Sequence, residues 1–95
     1  MQHDFVVYLH RSQRDGRVYV GTTNNPVRRW RPSKYRGSPA FFDAIISEGW
    51  DNFSHEIVSS RLTRPEAETV EKALIVALKS TDPAYGFNKK RQFII

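Results

Sequence analysis

The sequence has no cysteine among its 95 residues. This absence excludes thiolate zinc sites, thiol catalysis and a disulfide framework, and it is typical of proteins from a reducing compartment such as the cytoplasm. A long apolar run is also missing, since no segment approaches the roughly 18 apolar residues of a membrane-spanning helix. The amino-terminal segment lacks the charged start and the cleavage site of a signal peptide. We therefore expect a cytoplasmic protein that has no membrane partner.

The chain also lacks internal repeats, low-complexity segments and linkers rich in proline or serine. A length of 95 residues is enough for one modest hydrophobic core without disulfides. A second domain does not fit in this length. We predict a single domain over residues 1–95, in which every motif belongs to the same core.

Two short β-rich segments open the chain, FVVYLH at 5–10 and RVYV at 17–20. The polar connection between them ends in Asp-Gly, so they predict a β-hairpin. Because side chains alternate between the faces of a strand, burying the aliphatic residues of both segments together places Tyr8 and Tyr19 on the other face. The simplest such register makes the two tyrosines direct cross-strand neighbours. A weaker strand is predicted at 52–58.

Helices are predicted from their start signals. Asn25 followed by proline predicts an N-cap and a short helix through Trp30. A serine-proline pair predicts a second helix over 39–48. Thr63 opens a T-x-x-E capping box, which predicts a third helix that continues to about Lys79.

Positive charge is in excess, with 15 lysines and arginines against 10 acidic residues and a net charge of +5. The excess is concentrated between Arg28 and Arg36, where no acid interrupts the cations and aromatic residues lie among them. Such a stretch favours a polyanionic partner and contact with bases or sugars. An ordinary solvated basic face is the alternative. The candidate nucleic-acid-binding residues are Arg28, Arg31, Lys34, Tyr35, Arg36, Lys89 and Lys90.

The last predicted helix carries a carboxylate on its apolar side. At about 100° per residue, Glu71 points between Leu78 and Ile75, inside the apolar stripe. An unpaired carboxylate there costs several kcal/mol. A salt bridge to a core-facing arginine is one way to compensate this cost. A divalent cation reached from a cleft is the other, because Mg²⁺ prefers oxygen ligands and often takes only one or two carboxylates. The stripe consists of Ala67, Val70, Leu74, Ile75, Ala77 and Leu78.

In chain order, the sequence combines a strand tyrosine, a Tyr-Val-Gly strand, an arginine on a short helix, an inward glutamate and a Gly-Phe-Asn turn. This order closely resembles the GIY-YIG nuclease family over residues 5–88. Each triplet alone is a weak signal, but five elements in family order are a strong one. The matching positions are Val6-Val7-Tyr8, Tyr19-Val20-Gly21, Arg29, Glu71 and Gly86-Phe87-Asn88.

The resemblance implies an α+β fold, in which a three-stranded antiparallel sheet is flanked by helices. It also implies metal-dependent hydrolysis of DNA phosphodiesters by an endonuclease or nickase, with Glu71 as the ligand of Mg²⁺ or Mn²⁺. Many family members append a DNA-recognition domain, for which this chain has no room. We therefore expect sequence specificity to come from the basic surface, a homodimer or a partner protein. The implied catalytic residues are Tyr8, Tyr19, Arg29, Glu71 and Asn88.

Each of these residues is given a hypothetical role. Glu71 holds the metal against the scissile phosphate, and Arg29 stabilises charge on the phosphoryl oxygens. Tyr8 or Tyr19 activates the attacking water, with a preference for Tyr8. Because a tyrosine with its ordinary pKa of about 10 is a poor base at pH 7, the basic surroundings are expected to lower that pKa. Asn88 orients the glutamate or a metal-bound water.

Two positions depart from the family pattern. Val6 replaces the first glycine of the family name. Ser33 stands four residues after the arginine, where the family often has a histidine or tyrosine that supports the catalytic tyrosine. Tyr35 and His10 are candidate replacements, since Tyr35 is near in sequence and His10 shares the strand face of Tyr8. If neither serves, the domain is a catalytically weak or inactive nucleic-acid-binding module. A protein-interaction module, with the terminal FII as its sole positive feature, is a third class.

Overall fold

The computed structural model describes residues 2–89. Its three strands form an antiparallel sheet in the order β2-β1-β3. The predicted α+β fold is confirmed, whereas Lys90 and the terminal FII lie outside the described residues. The elements are β1 (Phe5–Ser12), β2 (Val18–Thr23), α1 (Pro26–Arg29), a 3-10 turn (Pro32–Tyr35), α2 (Pro39–Glu48), a second 3-10 turn (Trp50–Asn52), β3 (Phe53–Leu62) and α3 (Arg64–Leu78).

The hairpin of β1 and β2 has the predicted alternation but a different register. Odd residues of β1 face even residues of β2, so Tyr8 and Tyr19 share a face as predicted. The prediction that they are direct neighbours is wrong, because Tyr8 lies opposite Gly21 and Tyr19 lies opposite His10. A shift of two residues leaves every side chain on its face, so the hydrophobic pattern alone does not distinguish the two registers.

The helices begin where their caps predict. The Asn25 side chain accepts a hydrogen bond from the backbone N–H of Arg28 at 3.1 Å, and α1 ends one residue before the predicted Trp30. The Thr63 hydroxyl accepts from the backbone N–H of Glu66, whose carboxylate accepts from the N–H of Thr63 at 2.8 Å. This pair confirms the capping box of α3. Within residues 2–89, no helix combines the length and the apolar character needed to cross a membrane.

The sheet separates two hydrophobic clusters. On one face, the aliphatic side chains of β1 and β2 pack against α3. The predicted stripe of α3 is confirmed there except at Ala77, which is exposed. On the other face, aromatic side chains of the sheet pack against α2 and the first 3-10 turn. The buried members of this aromatic core are Tyr8, Tyr19, Tyr35, Phe41, Ala44, Ile45, Phe53 and Phe87.

The segment after α3 lies along the free edge of β2. The backbone N–H of Val18 donates to the Tyr85 carbonyl at 3.2 Å, and the N–H of Phe87 donates to the Val18 carbonyl at 2.9 Å. The Asn88 side chain continues this pairing at Val20. These bonds satisfy backbone groups that an open edge strand exposes, and they place Asn88 beside the strand that carries Tyr19.

Candidate active site

The Tyr8 phenol lies at the centre of the aromatic core, with 0% of its side chain exposed. Its ring extends over Gly21, the residue directly opposite on β2. A Cβ atom at Gly21 would overlap the Tyr8 hydroxyl. The glycine of the Tyr-Val-Gly motif therefore supplies the space in which this hydroxyl sits, because any larger residue would displace it.

Arg29 reaches the Tyr8 hydroxyl from the end of α1. Its Nε–H donates to the Tyr8 oxygen at 3.1 Å, and its Nη1 donates to the Lys34 carbonyl at 2.7 Å. The guanidinium also lies over the Tyr35 ring, with the central carbon 4.4 Å from the ring centroid. Two hydrogen bonds and a cation–π contact thus fix the positive charge beside the phenol.

Tyr35 and His10 together occupy the supporting position that Ser33 leaves open. The Tyr35 hydroxyl donates to the Tyr8 oxygen at 3.4 Å, and the same hydroxyl lies 2.7 Å from Nε2 of His10. Ser33 is exposed. The prediction that Tyr35 contacts nucleic acid is wrong, because its side chain is 0% exposed and therefore has no face on which a base can stack.

The expected lowering of the tyrosine pKa is also wrong. Burial raises the pKa of Tyr8 above its ordinary value, and Tyr19 adds to the rise. The hydrogen bonds from Tyr35 and Arg29 stabilise the phenolate and offset part of this effect. Removal from water disfavours the charged form of a phenol more than these donors favour it. Tyr8 is therefore protonated at neutral pH, and as a phenolate it is a strong base.

Glu71 lies in a separate recess on the α3 side of β2. Its side chain is 9% exposed, which agrees with its predicted inward direction. It lines a pocket of about 310 Å³. The exposed Lys89 is also part of the pocket wall, so the pocket opens at the protein surface. The acid is therefore within reach of a ligand that enters from solvent. The lining residues are Tyr19, Val20, Ser38, Glu71, Ile75, Asn88 and Lys89.

Tyr19 connects this pocket to the Tyr8 cluster. It lines the pocket beside Glu71, and its ring meets the Tyr35 ring edge-on at 5.5 Å between centroids. It also stacks on Phe41 at 4.6 Å. The structure thus brings all five implied catalytic residues into two adjoining groups, with Tyr19 common to both.

The Asn88 side chain pairs with the backbone of β2. Its amide oxygen accepts from the Val20 N–H and its amide nitrogen donates to the Val20 carbonyl, both at 2.9 Å. This pairing holds the chain end against β2 while Asn88 lines the Glu71 pocket. Gly86 allows the close approach, since a Cβ there would overlap the backbone of Ser80.

His55 is a site neighbour that the sequence analysis did not single out. Its Nδ1 lies 2.8 Å from Nδ1 of His10, which β3 places directly opposite on β1. Its ring also stacks on Trp50 at 4.3 Å. The one signal in the sequence is that His55 falls within a predicted strand; the pairing of that strand with β1 depends on tertiary structure.

A comparison with protein-family models decides the family. The model of the GIY-YIG catalytic domain matches residues 4–85. The chain belongs to the GIY-YIG family. Membership implies nuclease activity and a nucleic-acid substrate, and the match includes Tyr8, Tyr19, Arg29 and Glu71, whereas Asn88 follows its end. Neither the search of curated proteins nor that of solved structures finds a match.

GIY-YIG nucleases generally depend on a divalent metal, and the Glu71 pocket fits one in part. Among residues 2–89, no three histidine or acidic side chains cluster around a common point. The pocket instead offers one carboxylate beside the Tyr19 phenol. A hard cation such as Mg²⁺ accepts one carboxylate when waters and substrate phosphate complete its shell. The residues therefore fit a metal held jointly with the substrate better than a metal enclosed by protein.

The predicted basic residues within residues 2–89 lie on the protein surface. Those on α1 and the following turn are exposed, whereas Arg29 is half-buried at the phenol. Lys89 is exposed at the Glu71 pocket. A polyanion that contacts Lys89 would therefore lie at the Glu71 pocket, and one that contacts the cations next to Arg29 in sequence would lie near the residue that reaches Tyr8. The exposed members are Arg28, Arg31, Lys34, Arg36 and Lys89.

Proposed function

We propose that this protein is a DNA endonuclease or nickase that hydrolyses phosphodiester bonds with a tyrosine-activated water and one divalent cation. The observation that carries the proposal is the position of Tyr19, which lines the Glu71 pocket and packs against the cluster that holds Tyr8. A phenol that accepts hydrogen bonds from a guanidinium and a second phenol suits a base. An acid in the adjoining pocket, which Tyr19 also lines, suits a cation bound with phosphate.

Tyr8 acts as the general base. Its oxygen accepts from Arg29 and from Tyr35, so both donors stabilise the phenolate that forms during the reaction. The water oxygen bonds to phosphorus, its proton passes to Tyr8, and the bond from phosphorus to the leaving sugar oxygen breaks. The leaving oxygen takes a proton from solvent. General-base catalysis of this kind contributes about 10²-fold to 10⁴-fold.

Arg29 stabilises the charge that develops on the phosphoryl oxygens. A guanidinium has five N–H donors, and the bonds described here use one at Nε and one at Nη1. We expect the remaining donors to bind a phosphate that approaches Tyr8. Because the group is already fixed at the phenol, no reorganisation is needed when the charge appears.

Glu71 holds the divalent cation, Mg²⁺ or Mn²⁺, at the pocket that it shares with Tyr19. When bound, the cation supplies positive charge beside the scissile phosphate. Asn88 supports this pocket by holding the chain end on Val20. Tyr19 positions the substrate phosphate or water between the two groups.

The exposed cations bind the DNA backbone. Arg28, Arg31, Lys34 and Arg36 follow one another on the surface beside Arg29, and contacts from such residues hold nucleic acid without reading its sequence. Specificity then comes from this surface, from a second copy of the chain or from a partner protein. A cytoplasmic location belongs to the same proposal, on the basis of the missing cysteine.

A nucleic-acid-binding module without catalysis is the second candidate. The complete burial of Tyr8 favours it, since burial raises the pKa of the proposed base. The basic surface would serve such a module equally well. Cleavage and binding must therefore be measured separately.

Supercoiled plasmid tests the proposal. We expect wild-type protein to nick the plasmid with Mg²⁺ or Mn²⁺ and to show no nicking in EDTA. Glu71→Ala should nick about 100-fold more slowly, or slower still, while it still binds DNA. Glu68→Ala is the matched control, because Glu68 is on the same helix but exposed, with an ion pair to Arg64. Wild-type protein that binds DNA and leaves the plasmid intact under every divalent cation would establish the binding module instead.

A further inference from the structure

We propose that His10 and His55 complete a proton-transfer chain that begins at Tyr8, passes through Tyr35 and ends at the protein surface on β3. The inference rests on the proposed function, because it supplies the route by which Tyr8 becomes the base. Neither histidine belongs to the motifs that identify the family in this sequence. Both belong to the hydrogen-bonded cluster that supports Tyr8 in place of Ser33.

The four groups form a continuous series of hydrogen bonds. The Tyr8 and Tyr35 oxygens are 3.4 Å apart, the Tyr35 oxygen is 2.7 Å from Nε2 of His10, and Nδ1 of His10 is 2.8 Å from Nδ1 of His55. Each imidazole or phenol in the middle of the series is bonded on two sides. Such groups pass a proton by accepting on one side and donating on the other.

The contact between the Nδ1 atoms of His10 and His55 determines the direction in which the hydrogen-bond donors of the series point. One of the two must carry a hydrogen and the other must accept it, so the bond between His10 and His55 has two arrangements. With the hydrogen on His55, every donor in the series points toward Tyr8. With the hydrogen on His10, the donors point away from Tyr8. A shift of protons along the series converts the second arrangement into the first.

This shift ionises Tyr8. The Tyr8 proton moves to the Tyr35 oxygen, the Tyr35 proton moves to Nε2 of His10, and the Nδ1 proton of His10 moves to Nδ1 of His55. His55 then releases its Nε2 proton to solvent, so every group except Tyr8 ends neutral. The phenolate that remains accepts hydrogen bonds from Arg29 and from Tyr35. No bond between heavy atoms changes and no redox partner is needed.

The burial of the groups explains why a route is needed. Tyr8, Tyr35 and His10 are all 0% exposed, so the Tyr8 proton is separated from bulk solvent. His55 is half-buried and forms the outer end of the series. A proton that leaves Tyr8 through this series therefore reaches solvent on the β3 side, away from the pocket of Glu71.

Burial keeps both histidines neutral, as a proton relay requires. Burial, His55 and Arg29 lower the pKa of His10 to about 3. Burial also lowers the pKa of His55, while a hydrogen bond with the Trp50 backbone and the charge of Asp51 oppose this effect. His10 is further enclosed by Tyr8 and Tyr19 of the sheet, by Tyr35 of the first 3-10 turn and by Phe41 of α2.

Chemical rescue tests the outer end of the chain. In plasmid nicking, His55→Ala should be slower than wild type by about 10-fold to 100-fold, with unchanged DNA affinity and circular dichroism. Imidazole in the buffer should restore several-fold of this loss, because the truncated side chain leaves a half-exposed space for a diffusible proton acceptor. Glu56→Ala is the matched control, since Glu56 is the exposed neighbour on β3, and it should nick at the wild-type rate with no response to imidazole.

A second variant tests the interior of the chain. Tyr35→Phe keeps the ring but removes the hydroxyl, so nicking should fall without any rescue by imidazole. A His55→Ala variant that nicks at the wild-type rate, or one that imidazole leaves unchanged, overturns the proton chain while wild-type nicking stands. Wild-type protein that leaves the plasmid intact overturns the proposed function, and the proton chain with it.

Discussion

At the scale of single residues, His10 is an imidazole enclosed by other rings. Its centroid lies 4.9 Å from Tyr8, 5.1 Å from Trp50 and 5.6 Å from Phe41. This burial lowers its pKa from 6.5 to about 3, with His55 contributing to the effect. The folded protein therefore binds a proton at His10 less readily than the unfolded chain does.

Acid should consequently destabilise the fold through this residue. Between pH 6.5 and about 3, His10 binds a proton in the unfolded state but not in the folded state. The contribution of His10 to the free energy of unfolding is therefore complete above pH 6.5 and is lost as the pH falls toward 3. The free energy of unfolding should fall by about 1.4 kcal/mol per pH unit from this group. Urea denaturation at several pH values measures it. His10→Gln should show a shallower dependence over the same window, and an equal slope in both proteins would contradict the account.

For individual site residues, the sequence predicted the direction of the side chain but not the depth of its burial. The alternation of a strand placed Tyr8 and Tyr19 on one face, and the helix period turned Glu71 inward; both predictions are confirmed. The direction of the Tyr8 pKa was predicted wrongly, because the neighbouring arginines are visible in the sequence and the depth of burial is not. The wrong prediction that Tyr35 lies on the DNA-binding surface has the same cause, because its burial is not visible in the sequence.

At the scale of elements, α3 depends on a cap that is complete in the structure. The Thr63 hydroxyl accepts from the Glu66 N–H, and the reciprocal bond from the Thr63 N–H is also present. These bonds satisfy donors that the first turn of a helix leaves open. They also fix the start of the helix on which Glu71 is carried.

Removal of this cap should weaken the fold. Thr63→Ala is expected to lower the free energy of unfolding by about 1 kcal/mol. Thr69→Ala is the matched control, because Thr69 is an exposed residue inside the same helix and alanine is the better helix former there. Urea denaturation at pH 7 compares the two. Equal destabilisation by both substitutions would show that the cap contributes nothing of its own.

Local signals predicted the elements better than their pairing. Caps and prolines placed α1 and α2 to within a residue, and the β-rich segments placed both strands of the hairpin. The register of β1 against β2 differed by two residues, since either register keeps the same faces. The pairing of β3 with β1, which brings His55 to His10, depends on contacts between distant segments and has no local signal.

At the scale of the whole molecule, the net charge of +5 is concentrated beside the site. DNA binding should therefore weaken steeply with salt, because each phosphate contact releases counterions. Arg31→Ala should reduce the slope of log affinity against log salt by about 0.9, whereas Arg64→Ala on α3 should leave it unchanged. Fluorescence anisotropy with a labelled duplex measures both. A slope that is the same for all three proteins would contradict binding through the α1 surface.

The role of Tyr8 as the base is tested most directly by single-turnover nicking of supercoiled plasmid with saturating protein and Mg²⁺. Tyr8→Phe removes one oxygen from the buried core, and Tyr85→Phe removes the same atom from an exposed ring. We expect Tyr8→Phe to lose about 10²-fold or more in rate, with DNA affinity unchanged, and Tyr85→Phe to match wild type. The wild-type rate should rise with pH through the neutral and alkaline range, because burial raises the pKa of Tyr8. A Tyr8→Phe variant that nicks as fast as Tyr85→Phe would contradict the role of this phenol.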